Sequence, residues 1–244
     1  MKIHIAHLYY DLFNLYGENG NIKALKKEFE NQGYEVAIHF LTLGDNLKFD
    51  EYDLVYMGAS TENNQKSVIP HLLKYKKDIK KAIEENKFFL ITGNSIELFG
   101  KYILNDENKK FDTLNIFSFY TEQQKKRLIG ESIMKCSFVD KPIIGFHNQA
   151  SIIFNNDKPM FEVIKRINYS EDIKEEGIKY NNFYGTYLLG PLLVRNPELL
   201  KYFISEIILT KNKKHNFKNF DLKLSEKAFE YSINRANNNV NNWK

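Results

Sequence analysis

The sequence predicts an α/β protein, a three-layer sandwich built around a mostly parallel sheet, with a β-rich C-terminal half. Two observations carry that expectation. Strand-like and helical patterns alternate four times within the first hundred residues, and apart from the alternating Tyr34 to Leu41 those strands are largely apolar. Strands of that kind are buried on both faces, as in a parallel sheet covered by two helix layers. From Phe111 onward the texture changes to short strand-like runs without long helices between them.

Ile3 to Leu8 reads as the first buried strand, followed by the turn-rich Tyr16-Gly17-Glu18-Asn19-Gly20. A helix is predicted over Asn21 to Gln32, with Ile22, Leu25 and Phe29 as its apolar stripe and Gly33 as its stop. Tyr34 to Leu41 and Asp53 to Met57 are the next strands, the latter running into Gly58-Ala59-Ser60-Thr61. Val68 to Glu85 is amphipathic, with Leu72, Leu73, Ile79 and Ile83 opposite a dense Lys face. Phe88 to Thr92 is a fourth strand, and Gly93-Asn94 turns it into a short helix ending near Gly100.

In the later half, Ile116 to Tyr120, Ile133 to Phe138, Ile143 to Phe146, Ile152 to Phe154 and Phe183 to Leu189 read as strands extending the same sheet. Asn196 as cap and Pro197 at the first helical position start a helix reaching Leu209. A last helix covers Ser225 to Asn237, and the tail through 238–244 is expected to be frayed. No repeat or clear linker divides the chain, so 1–244 reads as one domain.

Composition narrows the function classes. With 43% hydrophobic and 14% aromatic residues, the chain is neither a disordered tail nor a disulfide miniprotein. Its 35 Lys and Arg against 31 Asp and Glu leave a net charge of +4, too little to signal nucleic-acid binding. The Arg residues, Arg127, Arg166, Arg195 and Arg235, lie far apart, so bidentate base or phosphate readout has little to work with. The single Cys136 permits no internal disulfide and no thiolate metal cage, and it points to a reducing, cytoplasmic setting. No phosphate-loop consensus appears and no Gly-x-Gly-x-x-Gly follows the first strand, so nucleotide binding has no motif support; no cofactor and no metal is expected. The longest apolar run is strand-length, against the ~20 residues of a spanning helix, so no membrane insertion is expected.

Ligands and catalytic groups of open α/β sheets gather at the C-terminal ends of strands. Three such ends stand out: Gly58-Ala59-Ser60-Thr61, whose backbone N–H groups could face an anion, Ile91-Thr92-Gly93-Asn94-Ser95, and Gly185-Thr186-Tyr187-Leu188-Leu189-Gly190-Pro191. A strand-to-helix elbow is where many hydrolases expose a nucleophile, although every βα unit needs a tight turn.

Together these turns resemble the class I glutamine amidotransferase domains of the cobyric acid synthase type. Within that family the likeness is to glutaminase subunits that pair with a Mur-ligase-like subunit to amidate the peptidoglycan stem peptide. It rests on Asn14-Leu15-Tyr16, Gly20-Asn21-Ile22 with Ala24-Leu25, Met57-Gly58 with Gln65, and Phe119-Tyr120-Thr121-Glu122 with Arg127-Leu128 and Gly130. It continues in Gly145-Phe146 with Asn148, Glu176-Gly177-Ile178, Gly185-Thr186-Tyr187-Leu188 with Gly190-Pro191, and Arg235-Ala236-Asn237. The resemblance implies a flavodoxin-like, class I glutamine amidotransferase fold, glutamine hydrolysis, and a Mur-ligase-like partner.

The departures fall on the chemistry. A glutaminase of this class needs an elbow Cys and a His to take its proton. The family elbow reads roughly Ile-Cys-x-Gly-x-Gln-x-x-Gly, and its late motif reads Gly-Thr-Tyr-Leu-His-Gly-Pro. Placing Gly100 on the last Gly of the elbow puts Gly93 at the Cys position and Glu97 at the Gln position, while Leu189 holds the His position. Ala59 and Ser60 stand where the family tends to have Gly. The resemblance therefore implies a degenerate pocket of Gly58, Ala59, Ser60, Thr92, Gly93, Asn94, Ser95, Glu97, Asn148 and Leu189, with no catalytic residue.

Three readings follow. The first is an amidotransferase-like pseudoenzyme acting as a binding or scaffold subunit, with Gly93 keeping a left-handed turn that would strain other residues. The second is an active amidotransferase or amidohydrolase using Thr92, Ser95 or His147. The third is a small-molecule sensor in the former glutamine pocket. Cys136, in an alternating strand-like run, reads as a half-buried structural thiol. Lys74, Lys76, Lys77, Lys80 and Lys81 read as a solvated helix face, with an acidic partner as the alternative, and Lys211 to Phe220 as a surface loop.

Overall fold

The computed structural model describes residues 1–166 and 173–238. The chain opens with β1 (Lys2–Leu8), α1 (Asn19–Asn31), β2 (Glu35–Leu41) and β3 (Leu54–Met57). Helices α2 (Glu62–Lys74) and α3 (Lys76–Glu84) lead to β4 (Phe88–Thr92) and a 3-10 run, Gly93–Phe99. Then come β5 (Tyr102–Leu104), β6 (Lys110–Asp112), β7 (Tyr120–Lys135), β8 (Ile143–Phe154) and β9 (Phe161–Arg166). β10 (Glu175–Glu176), β11 (Ile178–Tyr180), β12 (Phe183–Thr186), α4 (Leu192–Arg195), α5 (Pro197–Lys211) and α6 (Lys223–Asn238) complete it.

The first sheet runs β11-β12-β4-β3-β1-β2. All its neighbours are parallel except β11, which pairs antiparallel with β12. Side chains of β3 show how it is covered: Leu54 and Tyr56 join α1, α4 and α5 in one apolar cluster, while Val55 and Met57 join α2 and α3 in the other. Alternation along a strand sends neighbours to opposite faces, so both faces are buried and the strand is apolar throughout. This is the predicted three-layer α/β sandwich.

The later strands do not extend that sheet, as the sequence had suggested. They form a second one, ordered β10-β9-β7-β5-β6 with β8 also on β7. The reason is local pairing: β7 and β8 are long hairpin partners, in register from Tyr120↔Phe154 to Met134↔Ile143. Between Gln123 and Leu128 the register shifts, and the polar stretch there bulges out of β7. Only β11 and β12 return to the first sheet. Among the described residues, one isolated bridge joins the two systems: Phe146 and Leu189 exchange backbone hydrogen bonds of 3.3 and 2.9 Å.

Three smaller expectations are also corrected. The amphipathic stretch from Val68 is two helices, because the chain leaves helical geometry at Tyr75 (φ −102°, ψ 10°); Pro70 lies within the first of them. The first of them starts earlier, at Glu62, where the Thr61 hydroxyl caps the Asn64 N–H at 3.2 Å. Asn196 holds the N-cap position of α5, as expected, but its side chain does not cap the helix; it clamps β8 to α4, accepting from Ile144 N and donating to Ile144 O and Leu192 O, each at 2.8 Å. The last helix reaches Asn238, so residues 237 and 238 are helical; the remaining tail, 239–244, lies outside the described residues. Cys136 follows the end of β7 and is half-buried, and burial raises its thiol pKa.

Candidate functional site

In the first sheet the strand order reverses at β1, so the C-terminal ends of β1, β3 and β4 border one crevice. The turn after β3 brings Gly58-Ala59-Ser60 into it, and the turn after β4 brings Gly93. Gly93 has φ +68°, the left-handed conformation of a strained strand-to-helix elbow, which Gly adopts without steric cost. A Cβ placed on Gly93 would lie 2.4 Å from Ala59 Cβ and 3.0 Å from Leu189 Cδ2. The elbow, the turn after β3 and the segment after β12 therefore meet at one point. That point is filled by the Ala59 methyl and by Leu189, which is 2% exposed.

The anion-facing role expected of the turn after β3 is not available to Ser60, whose N–H donates to Asn94 Oδ1 at 2.9 Å. Gly58 is crowded from the other side, since a Cβ there would meet Phe13 O at 2.6 Å. Ser95 is tied to the backbone, donating to Thr92 O at 2.8 Å and to Met57 O at 3.3 Å. Thr92 points away from the elbow into a buried cluster below it. Its hydroxyl donates to Glu18 Oε2 and lies 3.2 Å from Tyr56 Oη, which itself donates to Glu18 Oε2 at 2.9 Å. Asn21 completes the cluster, its Nδ2 donating to Tyr56 Oη at 2.9 Å.

Glu18 was not among the residues the sequence singled out, yet it sits at the centre of this network. Burial pushes its carboxyl up to about 7, with the bonds from Thr92 and Tyr56 opposing that rise. Only its place in the turn before α1 marks it in the sequence.

Glu97 is also buried, and burial raises it to about 7 against the pull of its hydrogen bonds. Gln65 Nε2 donates to its Oε2 at 3.1 Å and to Asn94 O at 2.7 Å, while Tyr187 Oη donates to its Oε1 at 3.1 Å. Tyr187 N in turn donates to Glu176 Oε1 at 2.6 Å, and Thr186 Oγ1 to Glu176 Oε2 at 2.7 Å. Burial likewise lifts Glu176 to about 7. Glu97, Tyr187 and Glu176 are thus one buried polar chain leading from the elbow helix to the second sheet.

Asn148 is on the rim of the crevice. Arg127, carried by the bulge of β7, donates to Asn148 Oδ1 at 2.7 Å and Asn148 O at 2.8 Å, and pairs with Glu62 at 2.5 Å. Asn148 Nδ2 donates to Tyr16 Oη at 2.8 Å. Together these contacts link the loop after β1, the start of α2 and the second sheet. His147, the neighbouring residue, is on the opposite face of β8, fully buried and 2.8 Å from Gln149 Oε1. Burial lowers its pKa to about 4.

A flavodoxin-like sheet with an elbow after β4 and a partner segment after β12 defines the class I glutamine amidotransferase type. The chain belongs to the CobB/CobQ-like glutamine amidotransferase domain family, whose model matches residues 4–197. It is 28% identical over 236 residues to the glutamine-hydrolyzing lipid II isoglutaminyl synthase subunit GatD of Staphylococcus aureus, covering 97% of each chain. Its identity to the subunit of that name from Streptococcus pneumoniae is 31% over 201 residues, covering 81% of this chain and 77% of that one. A crystal structure of a glutamine amidotransferase shares the fold at a TM-score of 0.52 and 12% identity, covering 83% of this chain and 98% of that one. Among the described residues no helix is long and apolar enough to cross a membrane.

Proposed function

We propose that this chain is a glutamine-amidotransferase-like subunit that no longer hydrolyses glutamine. It persists as a cytoplasmic binding or scaffold subunit, a single domain partnered by a Mur-ligase-like protein in amidation of peptidoglycan precursors. The observation that carries this reading is the three-way contact of Ala59, Gly93 and Leu189. Positions 93 and 189, which the family fills with nucleophile and base, hold groups with no acid-base chemistry, and the space a side chain at 93 would occupy is taken. The partner is supported by the relatives, each of which is a subunit of a glutamine-hydrolyzing lipid II isoglutaminyl synthase.

One contact favours the second reading. Thr92 donates to Glu18, a hydroxyl paired with a carboxyl poised near neutral pH, which is the pairing a nucleophile and its base require. Both side chains are fully buried, however, and the hydroxyl is turned beneath the elbow. Ammonia release from glutamine, measured for the chain alone and with a Mur-ligase-like partner, tests both readings. The pseudoenzyme reading expects background release in each case. Release above background that disappears in Thr92→Val would overturn it.

A further inference from the structure

Helix α6 is apolar on two sides, and only one of them is packed. Phe229, Ile233 and Ala236 turn inward onto Ile133 and Ile144. Leu224, Ala228 and Tyr231 recur at helical spacing on the other side, and Leu224 is 82% and Tyr231 71% exposed. Lys223 and Lys227, one turn apart, run beside that stripe and Arg235 continues it, all three exposed. Of the two carboxylates of α6, Glu226 is paired with Lys201 at 2.9 Å, which leaves Glu230 to offset three cations. The imbalance extends into the loop that leads to the helix. Residues 212–238 hold six Lys and Arg against three Asp and Glu, and that excess of three makes up most of the +4 of the whole chain.

We infer that this face of α6 docks on the surface of an anionic lipid bilayer, with Leu224 and Tyr231 turned towards the acyl chains and the cations among the headgroups. A helix that sets apolar side chains beside Lys and Arg lies in the plane of the interface and does not span the membrane. Each cation near such a surface adds its own attraction. Other occupants match the face less well. A second copy would bring Lys223, Lys227 and Arg235 against another positive face, where like charges repel. A nucleic-acid backbone would meet the cations but give Leu224 no apolar neighbour.

Sedimentation of the full chain with lipid vesicles tests this. Vesicles of equal parts phosphatidylglycerol and phosphatidylcholine should carry the chain down at low salt, molar salt should release it, and pure phosphatidylcholine should not hold it. Lys223→Gln and Lys227→Gln should each weaken binding about fivefold, and Leu224→Ser at least about tenfold, the loss of one buried Leu side chain. Lys74→Gln and Lys77→Gln, exposed on α2 and α3, should leave binding unchanged. No binding to the anionic vesicles, or binding that the α2 and α3 variants weaken as much as the α6 variants do, overturns the site. Equal binding to duplex DNA or poly-L-glutamate also overturns it, by assigning the face to a soluble polyanion, and so does a dimer that Leu224→Ser dissociates. None of these outcomes touches the silence of the elbow, which ammonia release reads separately.

Discussion

A Cβ on Gly93 would fall 2.4 Å from the Cβ of Ala59, a distance that no pair of such atoms sustains. Restoring a thiol at the elbow is therefore opposed twice, by the neighbouring methyl and by the positive φ of Gly93. Strain of that kind costs on the order of 1–3 kcal/mol, and overpacking a comparable amount. Gly93→Cys should lower Tm by several degrees and release no ammonia. Adding Ala59→Gly removes the methyl but not the positive φ and should recover about half of the loss, so that thermal melts of the two single variants and the double show clear non-additivity. Additive effects, or Gly93→Cys as stable as the parent, would sink this account of the closed site.

Much of this was readable beforehand. Apolar β3 and β4 and the turns that end them announced the layered sheet, and the spacing from Gly93 to Gly100 placed the elbow. Glu18 was not legible, because a buried carboxyl looks like any surface Glu until the residues around it, Tyr56 and Thr92, are brought in from two other strands. The second sheet is not legible in the sequence because Gln123 to Arg127 is polar and reads as an interruption between strands; it bulges out of β7 instead, and the pairing resumes beyond it. Pro70 was equally visible, yet the helix runs through it to Lys74, and nothing in the pattern marks the break at Tyr75.

Burial holds Glu18, Glu97 and Glu176 near 7, above the ordinary carboxyl value of 4.5. The folded state thus binds protons that the unfolded state releases. The stability these groups contribute is complete below 4.5 and is lost as pH rises through 7. Each contributes a slope of roughly 1 kcal/mol per pH unit across that window. Urea unfolding at several pH values between 5 and 8 should show stability falling, and Glu97→Gln should make the fall shallower. An unchanged slope in that variant would show that Glu97 ionises freely.

His7 acts in the opposite direction. It is fully buried among the rings of Tyr10, Phe40 and Tyr56, and neither ring nitrogen has a hydrogen-bond partner among the described residues. Burial lowers its pKa to about 4 from 6.5. The unfolded chain therefore takes up the proton first, and stability present above 6.5 is lost as pH falls towards 4. His7→Leu removes an unsatisfied buried imidazole and should stabilise the chain, by more at pH 5 than at pH 8. Equal unfolding free-energy gains at the two values would show that the imidazole does not titrate on unfolding.

The contacts of Arg127 span the crevice between three elements. The guanidinium joins Glu62 at the start of α2 to Asn148 on β8, and Asn148 holds Tyr16 in the loop after β1. Because the ion pair is substantially exposed, at 40% and 34%, its charge attraction is screened and contributes ~1 kcal/mol or less. Its effect on local motion should be larger than its effect on global stability. Arg127→Ala should lower Tm only slightly while accelerating amide exchange in the loop after β1 and around Asn148, and Arg127→Lys should restore little, since an ammonium cannot make the forked contact. Hydrogen exchange read by mass spectrometry separates the cases: acceleration spread evenly over the chain would mean that Arg127 stabilises the fold as a whole and does not tie these three elements together.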